Sequence, residues 1–254
     1  MKNEDATAAP PGILRSVWSE VDGLRWHSLA APGPPGTRPR PIVLVHGLGV
    51  SSRYMRPAAE RLAQSVPVYA PDLPGFGRSA KPERALDVRG LADALARWME
   101  LSGIGWPTLV GHSFGCHVVA DLAARQPDAI SRVVLAAPMA DPRSRTAARQ
   151  LARLLLDAAR EPLSLIPLAA SDYLRAGLIR AARTLRFALR YRLEDVLPGA
   201  PAPALVVRGE RDPVVPHWWA REVAWRLPTG ELFTVEGRRT RSTTATPTSS
   251  RASP

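Results

Sequence analysis

Four short apolar runs, Ile42–Val45, Val66–Ala70, Thr108–Val110 and Ile130–Ala136, are separated by segments near 53–64, 87–102 and 114–125 whose apolar residues recur at helical spacing. Parallel strands need long crossovers, and helices supply them, so this alternation implies a parallel sheet covered by helices on both faces. The Ile42–Val45 run contains no polar residue, which suits a strand buried on both sides. At 254 residues the chain can build one such domain with a sizeable core, and the fold class expected is α/β.

The alternation has a different beginning and an interruption. Ser16–Val21 and Leu24–Leu29 flank Asp22-Gly23, a dipeptide that favours the positive φ angles of a two-residue hairpin, so the sheet should open antiparallel. From Pro138 to about Pro198 one helical pattern follows another, with Leu and Ala interleaved with Arg. Strand-like Ala204–Val207, a helix at about 217–227 and a last strand at Leu232–Val235 then follow. The expected organisation is a core at 13–137 and 199–236, a helical insertion at 138–198, and disordered tails at 1–12 and 237–254. The inserted leucines read mainly as helix packing, and Arg180, Arg183, Arg186, Arg190 and Arg192 as a solvated face.

The formal charge of +11 would suit a nucleic-acid partner, but 32 of the 34 basic residues are Arg, a bias that resembles GC-rich codon usage. The last eighteen residues hold four of those arginines and no acid, leaving +7 for the rest. The seven tryptophans are scattered, without the stacked array that single strands require, so no nucleic-acid partner is expected. No metal-ligand spacing, phosphate loop or dinucleotide glycine motif occurs, and no cofactor or metal is expected. Cys116 is the one cysteine and no apolar run approaches eighteen residues, so the expectation is a cytoplasmic protein without stable membrane insertion.

The chemistry concentrates in Thr108-Leu109-Val110-Gly111-His112-Ser113-Phe114-Gly115, where an apolar strand runs through Gly-x-Ser-x-Gly into a helix. A serine at so sharp a turn adopts strained backbone angles, and flanking glycines avoid collision with the neighbouring strand and helix. Two further motifs follow strands: His46-Gly47-Leu48-Gly49, and Asp72-Leu73-Pro74-Gly75-Phe76-Gly77-Arg78-Ser79.

These three motifs, in this order, resemble the α/β-hydrolase superfamily over residues 16 to 236, and within it the capped esterase-like and C-C hydrolase-like members. The resemblance implies a mostly parallel sheet with a helical cap, Ser113 as nucleophile, and the backbone amides of Leu48 and Phe114 as the oxyanion hole. It also implies Asp212, in Gly209-Glu210-Arg211-Asp212-Pro213, as the acid that orients an imidazole, with Asp141 as the fallback. Relatives that open epoxides or displace halide carry Asp where Ser113 stands, so the implied substrate is a small, apolar ester or related acyl compound. The rival reading is a binding protein that keeps the fold and the pocket without turnover.

The family's order of nucleophile, acid and histidine requires an imidazole beyond Asp212, on the loop after the last strand. Only His217 follows Asp212, and five residues is too close; His46 reads as a brace for the oxyanion loop, and His27 and His117 as packing or surface residues. The loop in question reads Val235-Glu236-Gly237-Arg238-Arg239-Thr240-Arg241. Read one base out of frame, with suitable third bases, its codons spell Gly-Ala-Ala-His followed by Ala-Leu-Asn-Tyr-Gly, so a lost base near Gly237 is expected. Sequencing the gene across that codon tests this: the adjacent frame should encode Gly-Ala-Ala-His and a helical continuation, and a prompt stop or the absence of histidine there would refute it.

Overall fold

Asp22 (φ 49°) and Gly23 (φ 76°) both occupy the left-handed region and close the tight turn between β1 (Arg15–Val21) and β2 (Leu24–Ala31), with Val21 facing Leu24 in antiparallel register. The computed structural model describes residues 13–35, 39–158 and 166–237; the tails at 1–12 and 238–254, and 159–165 of the insertion, lie outside it.

The apolar runs become β3 (Ile42–Val45), β4 (Val68–Pro71), β5 (Thr108–His112) and β6 (Arg132–Ala136), followed by β7 (Ala204–Gly209) and β8 (Gly230–Val235). All eight form one sheet in the order β1-β2-β4-β3-β5-β6-β7-β8. The β2–β4 pairing is antiparallel, and every pairing from β4 to β8 is parallel. Because β3 lies between β4 and β5, the connections leaving β3 and β4 run in opposite directions across the sheet. Such a switch point opens a crevice beyond the carboxyl ends of the strands, which is where His46–Gly49 and Ser113 stand.

Helices α1 (Ser52–Leu62), α2 (Val88–Leu101) and α3 (Gly115–Arg125) connect these strands, as the periodicity predicts. The insertion contributes α4 (Ala147–Ala158), α5 (Ile166–Ala176), α6 (Leu178–Arg190) and the single turn α7 (Leu193–Val196), and α8 (His217–Arg226) precedes β8. On one face of the sheet Leu109, Val133, Leu135 and Val206 are sealed by α2, α3 and α8, and Trp26 stacks on Trp98 with ring centres 5.9 Å apart. On the other face α1 buries Leu44, Met55 and Ala59, whereas the neighbouring row Val110, Val134, Leu205 and Val207 is half-buried.

The end of β4 is held by a carboxylate. Asp72 is buried, and its Oδ1 accepts the Ser52 amide at 2.7 Å while Oδ2 accepts the Arg78 amide and the His27 Nδ1–H, each at 2.8 Å. Burial pushes its pKa up, but the bond from His27, the nearby His46 and the two amides outweigh that and hold it below the ordinary carboxylate value. One side chain thus ties β2, the start of α1 and the 72–79 loop together. Replacing Asp72 with Ala strands three donors, two of them in buried bonds, and should cost about 3–5 kcal/mol of unfolding free energy in a urea titration; a loss under about 1 kcal/mol would show the carboxylate to be dispensable.

Candidate active site

Ser113 stands at φ 53°, the strained turn that the motif implies, between the last residue of β5 and the first turn of α3. The flanking glycines show why: a Cβ on Gly111 would lie 2.6 Å from the Gly115 carbonyl oxygen, and one on Gly115 would lie 2.3 Å from that of Val45. Neither contact is possible, so only glycine lets the start of α3 rest on the end of β3. The Ser113 amide donates to Ala136 O at 2.8 Å, which fastens the turn to the end of β6. Phe114 follows as the N-cap residue, where amides have no partner within the helix and the dipole is positive.

The loop after β3 lies against this turn, since a Cβ on Gly47 would sit 3.4 Å from Ser113 Cβ. His46 is fully buried beside it, with Nδ1–H donating to Gly47 O at 2.8 Å and Nε2 accepting the Leu73 amide at 3.0 Å. The Gly47 carbonyl and the Leu48 amide belong to one planar peptide unit, so the bond from His46 sets the direction of the Leu48 N–H. Desolvation pushes the His46 pKa below its ordinary value despite Asp72 and Asp172 nearby. With both nitrogens committed and the ring kept neutral, His46 is a brace, as the sequence reading has it.

Helix α5 holds the same loop from above. The Tyr173 hydroxyl donates to Leu48 O at 3.2 Å, and Ser51 Oγ donates at 2.6 Å to Asp172, which is buried. Gly49 (φ 76°) leaves room for the Tyr173 ring, which a Cβ there would meet at 2.3 Å. Neither Asp172 nor Tyr173 was legible in the sequence, because they lie over 120 positions from their partners and no motif marks them.

Asp212 lies beyond β7, two strands from Ser113, roughly 10 Å across a sheet of ordinary spacing. Its Oδ1 accepts the amides of Val214 at 2.8 Å and Val215 at 3.0 Å. Arg208, a buried residue of β7, steadies this loop by donating to Val215 O at 3.2 Å and Glu210 O at 3.1 Å. Asp141 is otherwise engaged: it is buried, paired with Arg153 of α4, and accepts the Arg143 amide at 3.1 Å. His217 is the exposed first residue of α8. His27 is buried against Asp72 in β2.

Residues 42–238 match the Alpha/beta hydrolase family, and the chain belongs to it. The poly(3-hydroxyalkanoate) depolymerase of Ectopseudomonas oleovorans is 25% identical over 246 residues, covering 89% of this chain and 86% of its own. The abhydrolase domain-containing protein abhd-5.2 of Caenorhabditis elegans is 37% identical over 102 residues, 39% of this chain, which thus spans only 23% of that protein. The crystal structure of a bacterial membrane phospholipase A superposes with a TM-score of 0.72 at 26% identity, covering 89% of this chain and 79% of that one. The depolymerase and the phospholipase are hydrolases by name, and the eight-stranded, mostly parallel sheet is the fold of that class.

His117, one helical turn past Ser113, is wholly buried between the rings of Phe114, 5.9 Å away, and Tyr191, 5.7 Å away. Neither ring nitrogen has a hydrogen-bond partner among the described residues. Burial pushes its pKa down to about 4, from an ordinary value of 6.5. The unfolded chain therefore takes up a proton as pH falls through 6.5 while the folded chain refuses it, so stability is full above that range and declines below it. From pH 7 to pH 5 this should cost about 2 kcal/mol of unfolding free energy. His117→Phe should flatten that part of the pH dependence in urea titrations; an unchanged slope would mean that His117 is protonated in the folded state.

Proposed function

We propose that the chain is a serine-dependent hydrolase of small, apolar esters or related acyl compounds. The observation that carries this is Ser113 at φ 53° on a turn where Gly111 and Gly115 tolerate no Cβ, a strained conformation of the kind that clusters at active sites. Ser113 Oγ attacks the carbonyl carbon as its proton passes to a base, and the Leu48 and Phe114 amides hold the negative oxygen. The alcohol leaves with a proton, and water then attacks the acyl-serine to release the acid. Asp212 is the group that would orient an imidazole between itself and Ser113. The depolymerase relative, matched over most of both chains, is named for poly(3-hydroxyalkanoate), a polyester, which supports the ester part of this reading and not the small size of the substrate.

The base is the weak point of the chain as it stands. His217 is the one histidine after Asp212, and its exposed place at the start of α8 favours a second reading, a pocket-bearing binding protein with little turnover. Loss of the triad histidine costs on the order of a millionfold in a serine protease while oxyanion binding persists. Hydrolysis of nitrophenyl esters by this chain should accordingly be slow and lost in Ser113→Ala. Thr240→His, three residues past Gly237 where the resemblance places the imidazole, should raise kcat by at least about tenfold and speed labelling of Ser113 by a fluorophosphonate. Activity that survives Ser113→Ala would overturn the nucleophile. Esters that bind but neither turn over nor label, even with Thr240→His, would establish the binding protein.

A further inference from the structure

The corner between α5 and α6 is turned by Gly177 (φ 86°), whose amide caps α5 by bonding to Tyr173 O at 3.0 Å. Three aliphatic side chains surround it with almost nothing against them: Leu174, Leu178 and Ile179 are 75%, 71% and 73% exposed. These three fall within six consecutive positions at one tip, which makes them an exposed apolar cluster rather than single side chains.

A charged stripe continues from the tip. Arg183, Arg186 and Arg190 follow Ile179 at spacings of four, three and four, so they share its face of α6, opposite the buried Ala181, Thr184 and Ala188. Elsewhere several helix arginines pair with an acid three or four residues away, as in Arg56–Glu60, Arg97–Glu100 and Arg226–Glu222. None of the three arginines of the stripe forms an ion pair among the described residues. The only acid between Ile166 and Arg190 is Asp172, which is buried against Ser51 and Arg53. Among the described residues nothing offsets the mutual repulsion of these three cations, so an anionic surface laid against them would be attracted.

From this complementarity we infer that the α5–α6 corner docks on an anionic lipid bilayer, with the aliphatic tip entering the headgroup region and the arginine stripe lying on the phosphates. Aliphatic residues beside unpaired arginines are what such an interface binds, whereas single-stranded nucleic acid would call for aromatic stacking. The corner sits at the crevice. Tyr173, one residue before Leu174, reaches the loop after β3 through Leu48 O, and Arg180 and Lys81 tie the corner to the 75–82 loop through Pro82 O and Arg175 O. A docked chain would thus turn the crevice toward the membrane. The inference does not depend on Ser113 being a nucleophile, because binding alone reads it.

The test is flotation of the full chain with vesicles of phosphatidylcholine alone and of phosphatidylcholine with about one-third phosphatidylglycerol. Wild type should partition onto the anionic vesicles only, less so as salt rises. An arginine near such a surface contributes roughly a fivefold factor, so R183E/R186E/R190E should lose at least about a hundredfold. L174S/L178S/I179S should lose at least about tenfold even in low salt. R61E/R132E/R221E, which makes the same change in net charge on exposed residues elsewhere, should lose far less. Three results would overturn the proposal: no binding by wild type; an equal loss in R61E/R132E/R221E, which would mean that total charge alone acts; or a dimer that the serine variant splits, which would make the tip a self-interface. Near-ultraviolet circular dichroism of each variant verifies the fold, and the salt dependence of wild type stands independently of them.

Discussion

The placement of Ser113 depends on the contact between α3 and β3, with the Gly115 Cα against the Val45 carbonyl at a separation that admits no side-chain carbon. Because β3 and β5 are adjacent in the sheet, a helix leaving β5 must clear the end of β3 at once. It does so by bending sharply at Ser113, and the left-handed φ there is a consequence of the packing rather than a separate peculiarity. The strain is offset locally: Ser113 N–H bonds to Ala136 O, Cys116 N–H to Ser113 O and His117 N–H to Phe114 O. A backbone pinned this way presents the serine and the first amides of the helix in one fixed arrangement, which is what electrostatic preorganisation requires.

The same device recurs along the carboxyl edge of the sheet. Buried polar side chains there hold backbone groups: Asp72 takes two amides, His46 spans the Gly47 carbonyl and the Leu73 amide, and Arg208 grips two carbonyls of the Asp212 loop. A buried donor or acceptor left unpaired costs about 1–3 kcal/mol, so each such network admits few alternative arrangements. The His46 case goes furthest, because desolvation keeps the ring neutral and its two bonds fix the tautomer, with the proton on Nδ1. The loops of the crevice are therefore stiff without being hydrogen-bonded into strands.

What the sequence revealed and what it hid divide along the range of the interaction. β3, β5 and β6 were legible because a strand buried on both faces is written as a local apolar run. β4 begins at Val68 rather than Val66, since the Pro67 carbonyl is taken by the Ile42 amide and the proline has no N–H for the ladder. Around α5 and α6 Leu, Ala and Arg are all good helix formers, so the pattern runs on and the break between these two helices shows only as Gly177. The His27–Asp72 pair spans 45 positions and depends on β2 lying beside β4, which no local pattern announces. His117 shows the limit of spacing arguments: one helical turn past Ser113 suits a buried or an exposed residue alike, and only the packing of Tyr191 over it decides.

The choice between the two candidate acids also rests on long-range contacts. Both follow strands at the same edge, and by position alone Asp141 is the nearer, because it comes after β6, the strand directly beside β5. Yet Asp141 is buried and bound to Arg153, whose guanidinium also donates to Val214 O at 3.3 Å, so its charge is spent joining α4 to the Asp212 loop. Moving that carboxylate toward an imidazole would break the pair and leave Arg153 uncompensated beside a buried group, a loss of several kcal/mol. Asp212 is half-buried, and two amides of its own turn hold and orient its Oδ1. In our proposal, then, Asp141 sets where the Asp212 loop stands, and Asp212 is the acid that faces the site.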